Sequence, residues 1–120
     1  MIEATYSLPG IAHGQRLKQA SHIVWSMDLR ALVDKDLGLT ERALAKVRIA
    51  SPERSHLRKV SEDFLTMARA YYEDAKHFRE QGEFEKALAN VNYAHGWLDA
   101  GARLGLFDVG GDDQLFTLSE

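Results

Sequence analysis

The spacing of apolar residues in the middle of the chain constrains the fold more than any other feature. Two consecutive runs of apolar side chains recur at intervals of three or four residues, which places each run on one face of a helix and excludes a strand. The glycine in the link Gln81-Gly82-Glu83 can adopt the left-handed conformation that ends a helix, and so short a link makes neighbouring helices antiparallel. The two runs are Leu57, Val60, Phe64, Met67, Tyr71, Ala75 and Phe78, and then Phe84, Ala87, Val91, Ala94, Leu98 and Ala102. Gly105 is predicted to end the second of these helices.

A third run precedes these two and predicts a further helix. Its apolar positions are Leu29, Val33, Leu37, Leu44 and Val47, with Thr40 at the one missing step. We expect this helix to end near Ile49-Ala50, with a kink or short break near Gly38. Ser51-Pro52-Glu53 predicts the start of the next helix, because serine caps helices and proline suits the first turn. The fold class predicted for residues 27–107 is therefore all-α, an antiparallel three-helix bundle like the immunoglobulin/albumin-binding domains.

The two ends of the chain do not follow this pattern. Residues 1–26 contain Pro9, Gly10 and Gly14 and only a short stretch of helical spacing. We expect them to be either a peripheral N-terminal extension or the product of a misassigned start. Residues 108–120 carry four acidic residues, no basic residue and a double glycine. They predict a flexible acidic tail, and the alternative is that the Leu-Phe-Thr-Leu end folds back on the bundle.

Composition excludes several classes of function. The chain has no cysteine, which excludes disulfide scaffolds and thiolate metal sites. With 15 Lys and Arg against 18 Asp and Glu, the net charge of −3 lacks the signature of a dedicated nucleic-acid binder. No apolar run approaches the roughly 20 residues that cross a bilayer, so we expect no membrane segment and a cytoplasmic location. We also expect no cofactor and no metal site.

Three tracts of the second and third runs resemble a small archaeal family of domains of unknown function. They are 70–78 (AYYEDAKHF), 82–87 (GEFEKA) and 92–107 (NYAHGWLDAGARLGLF). The last of these is the most specific, and the likeness covers about residues 28–109. The resemblance implies a closed three-helix bundle and assigns no activity.

Polar residues of the two longer helices form the first group of candidate site residues. His95 and Asp99 are four residues apart, hence adjacent on a helix, and could form an oriented general base or half a metal site. The alternative is an ordinary surface pair beside an Asp99–Arg103 ion pair. Asn92, Asp99 and Arg103 share one polar stripe of the third helix. Asp74 is predicted at the edge of the helix interface, half-buried, either with a raised pKa or hydrogen-bonded to Tyr93 or an asparagine.

A further group, Tyr93, Trp97 and Leu104, shares the flank of its helix opposite His95. These residues either cover the first helix, which we predict, or form an exposed aromatic patch for a partner.

Basic residues concentrate at the corner between the first two helices. Between Arg42 and Lys59 there are six bases and one acid. A helix amino end favours anions, so this corner could bind a phosphate, a nucleotide or RNA. The alternative is a solvated corner. The candidate ligands are Ser51, Arg54, Ser55, Arg58 and Lys59.

The sequence contains no recognisable set of nucleophile, base and orienting residue. We therefore expect a non-catalytic protein-interaction or oligomerisation module, with a protein partner or a second copy as ligand. The alternative is a binder of nucleotide, phosphate or RNA at the basic corner, and an enzyme is the least favoured of the three.

Overall fold

In a computed structural model, the described residues are 28–117, and three helices make up most of them. The prediction for 1–26 lies outside the described residues. In chain order the elements are α1 (Leu29–Lys46), β1 (Arg48–Ile49), α2 (His56–Glu80), α3 (Phe84–Arg103) and β2 (Phe107–Asp108). The predicted all-α antiparallel three-helix bundle is confirmed. None of these helices is long and apolar enough to cross a membrane.

Helix α1 differs from its predicted course in two ways. It runs without a break past Gly38, and Thr40 lies buried in its middle. It ends at Lys46, before the predicted end, because Arg48 and Ile49 leave the helix to pair with β2. A bidentate ion pair holds α1 to α2, in which Arg79 donates from Nε and Nη2 to the Asp34 carboxylate over 2.8 and 3.1 Å.

Helix α2 begins four residues later than Ser51-Pro52 predicted. Ser51 cannot cap it, because its side chain is buried and its Oγ lies 3.0 Å from Ser61 Oγ. Ser55 caps the helix instead, and its Oγ accepts a hydrogen bond from the Arg58 N–H. At the other end Gly82 has a φ of 78°, and the Glu83 N–H donates to the Phe78 carbonyl. That is the glycine helix end that the sequence predicted.

The buried line of α2 is not the predicted one. Of the predicted apolar run only Ala75 is fully buried, and Leu57 is exposed. The buried line of α2 is shifted by one residue, since Ala68 and Tyr72 face inward in place of the predicted Met67 and Tyr71. Helix α3 follows its prediction more closely, since four of the six predicted positions are buried: Ala87, Val91, Ala94 and Leu98.

The residues after α3 fold back on the bundle. Gly105 ends the helix with a φ of 78°, and the Leu106 N–H donates to the Gly101 carbonyl. Strand β2 then pairs antiparallel with β1, with Ile49 opposite Phe107 and Arg48 opposite Asp108. We call residues 107–117 the C-terminal strap.

The strap corrects the prediction of a flexible tail over the described part of residues 108–120. Val109 and Phe116 are buried in the same apolar cluster as Ala43 and Leu98. Lys46 forms an ion pair with Asp112, and the Asp112 carboxylate also accepts the Gln114 and Leu115 N–H groups. These contacts hold the pKa of Asp112 below its usual value.

Candidate functional site

A polar cleft lies between α1 and α3 and brings together part of the first candidate group. Its volume is about 380 Å³. Its lining residues are Asp36, Leu39, Thr40, Asn92, His95, Gly96 and Asp99. Asn92, His95 and Asp99 of α3 lie together here, without Arg103, and face residues of α1 that the sequence pattern had not singled out as site residues.

His95 is the centre of the cleft and is held on both ring nitrogens. Its Nε2 lies 2.6 Å from the Leu115 carbonyl oxygen and its Nδ1 lies 2.9 Å from Thr40 Oγ1. Because a carbonyl only accepts, Nε2 carries the proton, and in the neutral ring Nδ1 accepts from the Thr40 hydroxyl. His95 therefore ties α3 to α1 and to the strap.

The carboxylates of the cleft have different surroundings. Asp99 Oδ1 accepts the Thr117 N–H at 2.9 Å and lies 3.8 Å from His95 Nε2. Asp99 thus holds the end of the strap. Burial raises the pKa of the Asp36 carboxyl, while the neighbouring charges of Lys35 and His95 oppose that rise.

The main polar groups of the cleft are hydrogen-bonded within the chain. Both nitrogens of His95 are hydrogen-bonded within the chain, so neither is presented to a reactant in this arrangement. Within residues 28–117, no three acidic or histidine side chains come together in a way that could hold a metal ion.

Asp74 and Arg103 lie away from the cleft. Asp74 is exposed on α2, so the predicted half-buried position is wrong. The cause is the rotation of α2 already described, which turns Tyr72 and Ala75 into the core and Asp74 toward solvent. Arg103 is exposed in the last turn of α3.

The opposite side of α3 presents aromatic residues that α1 does not cover. At about 100° per residue, Tyr93 and Trp97 lie about 160° around α3 from His95, the residue that contacts α1. We call this surface the aromatic face; it consists of Leu57, Phe64 and Tyr71 from α2 and of Tyr93, Trp97 and Leu104 from α3.

Ring contacts link the aromatic face into one surface. Phe64 and Trp97 pack edge to face at 4.9 Å between centroids, and Tyr71 and Tyr93 do so at 4.5 Å. Trp97 and Tyr93 are 6.0 Å apart, which joins the two pairs. Side-chain exposure is nevertheless high, at 51% for Tyr93 and 67% for Leu104. The alternative of an exposed patch therefore describes Tyr93 and Leu104, whereas Trp97 is partly buried and packs against the hydrophobic core.

The aromatic face also contains a polar atom without a partner. Trp97 Nε1 is buried and is the one such side-chain nitrogen or oxygen among the described residues to lack a hydrogen-bond partner. A buried donor left unpaired is costly, and most native structures avoid it. The helix pair thus keeps an indole at this position at a cost in stability.

The five residues predicted at the basic corner lie near one another, but three of them already form hydrogen bonds within the chain. Ser51 pairs with Ser61, Ser55 caps α2, and Arg58 contacts Glu62 at 3.3 Å and the Ser51 carbonyl at 3.4 Å. Arg54, with a φ of 63°, and Lys59 are exposed. A surface cleft of about 540 Å³ lies here, and Glu53 and Glu62 line it together with the bases.

Comparison with known families decides where this chain belongs. Residues 35–107 match the model of a family described as a protein of unknown function, DUF357, over more than half of the chain. The chain belongs to the DUF357 family. The resemblance predicted from the sequence is thereby confirmed. No curated protein and no solved structure matches the chain.

The DUF357 match contains every residue of the aromatic face, the cleft and the basic corner. It ends at Phe107, so most of the C-terminal strap lies beyond it.

Sequence patterns missed two sets of residues in this DUF357 protein. Thr40 was assigned only to the periodicity of α1, and Asp36 was not assigned any role. The residues that face them in the cleft lie on another element, so a pattern within α1 does not reveal the cleft. Leu57 and Phe64 were assigned to the core, since a helical apolar run is the same whether a neighbour covers it or not. One flank of α3 carries Tyr93, Trp97 and Leu104 at intervals of four and seven residues, and this spacing was the available signal.

Proposed function

We propose that this DUF357 protein is a non-catalytic interaction module whose binding surface is the aromatic face. The observation that carries the proposal is the joined set of rings on the α2–α3 hairpin, at whose surface Tyr93, Leu57 and Leu104 are more than half exposed. Clusters of Tyr, Trp and Leu on a rigid helix pair are characteristic of binding surfaces, because such side chains bury much area with little loss of conformational freedom.

The contrast with the polar cleft supports this assignment. There the polar groups of His95, Thr40 and Asp99 satisfy one another, so the cleft needs no external partner. On the aromatic face Tyr93 and two leucines, Leu57 and Leu104, are more than half exposed.

Site-specific photocrosslinking in the native host tests the proposal. A benzophenone amino acid replaces Tyr93 in one variant and Glu41, an exposed residue of α1, in a matched control. We expect a discrete crosslinked product from position 93, lost when Leu104→Glu is added, and no such product from position 41. Absence of a product at position 93, or equal products at both positions, would contradict an interaction role for this face.

The second candidate function is phosphate, nucleotide or RNA binding at the basic corner. The surface cleft with exposed Arg54 and Lys59 beside the amino end of α2 favours it. The internal use of Ser51, Ser55 and Arg58 counts against it.

A thermal-shift titration with tripolyphosphate and with a short RNA tests this second function. It requires a salt-sensitive rise in Tm that disappears in Arg54→Ala/Lys59→Ala and persists in the control Arg30→Ala/Lys35→Ala on α1. An unchanged Tm with both ligands would exclude this function.

A further inference from the structure

The aromatic face has a candidate occupant within the chain itself. We infer that residues 1–27 cover the aromatic face and that an external partner displaces them when it binds. This inference rests on the proposed function and names what regulates the same site. Because the segment competes with the partner for one surface, it lowers the apparent affinity of the face for that partner.

The segment joins the bundle at the end that holds the turn between α2 and α3. Asp28 caps α1 there, and its carboxylate accepts a backbone N–H of the first turn. The next residue, Leu29, lines a surface recess of about 270 Å³ together with Gly82 and Phe84. Residues 1–27 are therefore attached beside the hairpin whose outer side is the aromatic face.

The segment is long enough to reach every part of the face. Tyr71 lies nine residues before the end of α2 and Tyr93 nine residues after the start of α3, so each is about 14 Å from the turn. Leu104, at the far end, is about 30 Å from it. Passing over the turn from the side of α1 spans about one helix diameter, about 10 Å, which takes about four extended residues. The whole segment extends to about 90 Å, so most of it is left to lie along the face.

The composition of the segment suits an apolar surface. The face leaves Leu57, Tyr93 and Leu104 more than half exposed, and these side chains gain from being removed from water. The segment supplies both aliphatic and aromatic side chains for that purpose. They include Leu8, Ile11, Leu17, Val24 and Trp25.

Charge complementarity favours the same pairing. The exposed carboxylates of Asp63 and Asp74 lie on α2 along the border of the face. Residues 1–27 carry two basic side chains, Arg16 and Lys18, against one acidic residue. A net positive segment thus meets an acidic border, and opposite charges at a rim favour this pairing over others.

Photocrosslinking of the purified full chain tests the inference. A benzophenone amino acid replaces Tyr93, or Glu41 on α1 as the control, in an equal mixture of unlabelled and ¹⁵N-labelled copies. Mass spectrometry identifies the crosslinked peptides. We expect position 93 to join residues 1–27 in peptide pairs of a single isotope, which marks a contact within one chain. Position 41 should give no such pair.

Charge exchange between the segment and the border sharpens the test. Asp63→Lys/Asp74→Lys should lower the yield of the product from position 93 about fivefold or more, because Arg16 and Lys18 then face like charge. Adding Arg16→Glu/Lys18→Glu should restore the yield to within about twofold, since the charges are again opposite.

The matched control for this exchange is Glu41→Lys/Asp113→Lys. It makes the same change of charge on exposed residues of α1 and the strap, and should leave the yield unchanged. Circular dichroism confirms that each variant is folded. A yield that does not respond to Asp63→Lys/Asp74→Lys, or responds equally to the control, would overturn the proposed pairing.

The regulatory part of the inference is measured in the native host. Leu17→Glu/Val24→Glu weakens the competing segment, so the crosslink from position 93 to an external partner should rise severalfold. An unchanged partner crosslink would show that the segment does not compete and would overturn the inference.

The remaining outcomes separate this inference from the proposed function. A partner crosslink in the host, with no product to residues 1–27 in the purified chain, would overturn the inference and keep the proposed function. A product to residues 1–27 in both settings, with no external partner, would keep the internal cover and overturn the proposed function. Peptide pairs of mixed isotope would assign the covering segment to another copy and overturn the inference.

Discussion

The two sides of the α2–α3 hairpin are built by different rules. On one side α1 and the C-terminal strap close over the helices, and the polar groups there are paired, from Thr40 to His95 to the Leu115 carbonyl. On the other side Phe64 and Trp97 pack edge to face at the border of the core, Tyr93 and Leu104 are exposed, and Trp97 Nε1 has no partner among the described residues. The closed side stabilises the domain, whereas the open side has surface left for binding.

The sharpest test of this comparison removes one ring from each side. Phe116→Ala, on the closed side, is expected to lower the free energy of unfolding by about 3 kcal/mol or more, because the ring is 3% exposed and its loss leaves a cavity. Tyr93→Ala, on the open side, should cost about 1 kcal/mol or less. Urea unfolding at a single low protein concentration measures both. Equal losses would break the distinction between the two sides.

A second test adds one carbon at each of two glycines of α3. A Cβ at Gly101 would overlap the ring of Phe107, so Gly101→Ala should force the strap outward and cost about 2 kcal/mol. Gly96 has no atom within 4 Å of the same carbon. Gly96→Ala should therefore stabilise the helix by about 0.5–1 kcal/mol. Thermal unfolding followed by circular dichroism gives both values. If Gly101→Ala leaves the stability unchanged, the strap does not pack closely against α3 at Gly101.

A third test removes the hydroxyl that pairs with His95. Thr40→Val keeps the shape of the side chain and leaves Nδ1 without its partner, which should cost about 1 kcal/mol. Thr66→Val, on the exposed surface of α2, is the control and should have little effect. If the two variants unfold at the same denaturant concentration, the cleft does not depend on the Thr40–His95 bond.

The smallest expected effect concerns pH. Burial raises the pKa of Asp36 above its unfolded value of about 3.8, so the folded state binds the proton more readily than the unfolded state. Asp36 therefore favours folding when protonated, and this contribution is lost as pH rises through its raised pKa. Relative to the original chain, Asp36→Asn should gain in Tm as pH is increased from 3 to 7. If the Tm of Asp36→Asn instead falls relative to that of the original chain as pH is increased from 3 to 7, the Asp36 carboxylate is stabilised in the cleft.

Local signals gave much of the fold correctly. Periodicity placed three helices, and Gly82 and Gly105 marked two helix ends, because a left-handed residue at a helix end depends only on the chain beside it. The candidate site was predicted less completely. His95 and Asp99 were identified as neighbours on one helix, but their partners Thr40, Leu115 and Thr117 are 18 to 55 residues away.

The sequence by itself determined that three amphipathic helices form, where two of them stop, and that this chain is a DUF357 domain. Only the tertiary structure decided which part of each apolar arc is buried. Tyr72 enters the core and Tyr71 stays at its edge because α1 packs on one side of the hairpin, and helical spacing carries no information about the side a neighbour will choose. The strap was likewise decided by packing, since Val109 and Phe116 follow no period and gain their burial from a surface that exists only once the bundle has formed.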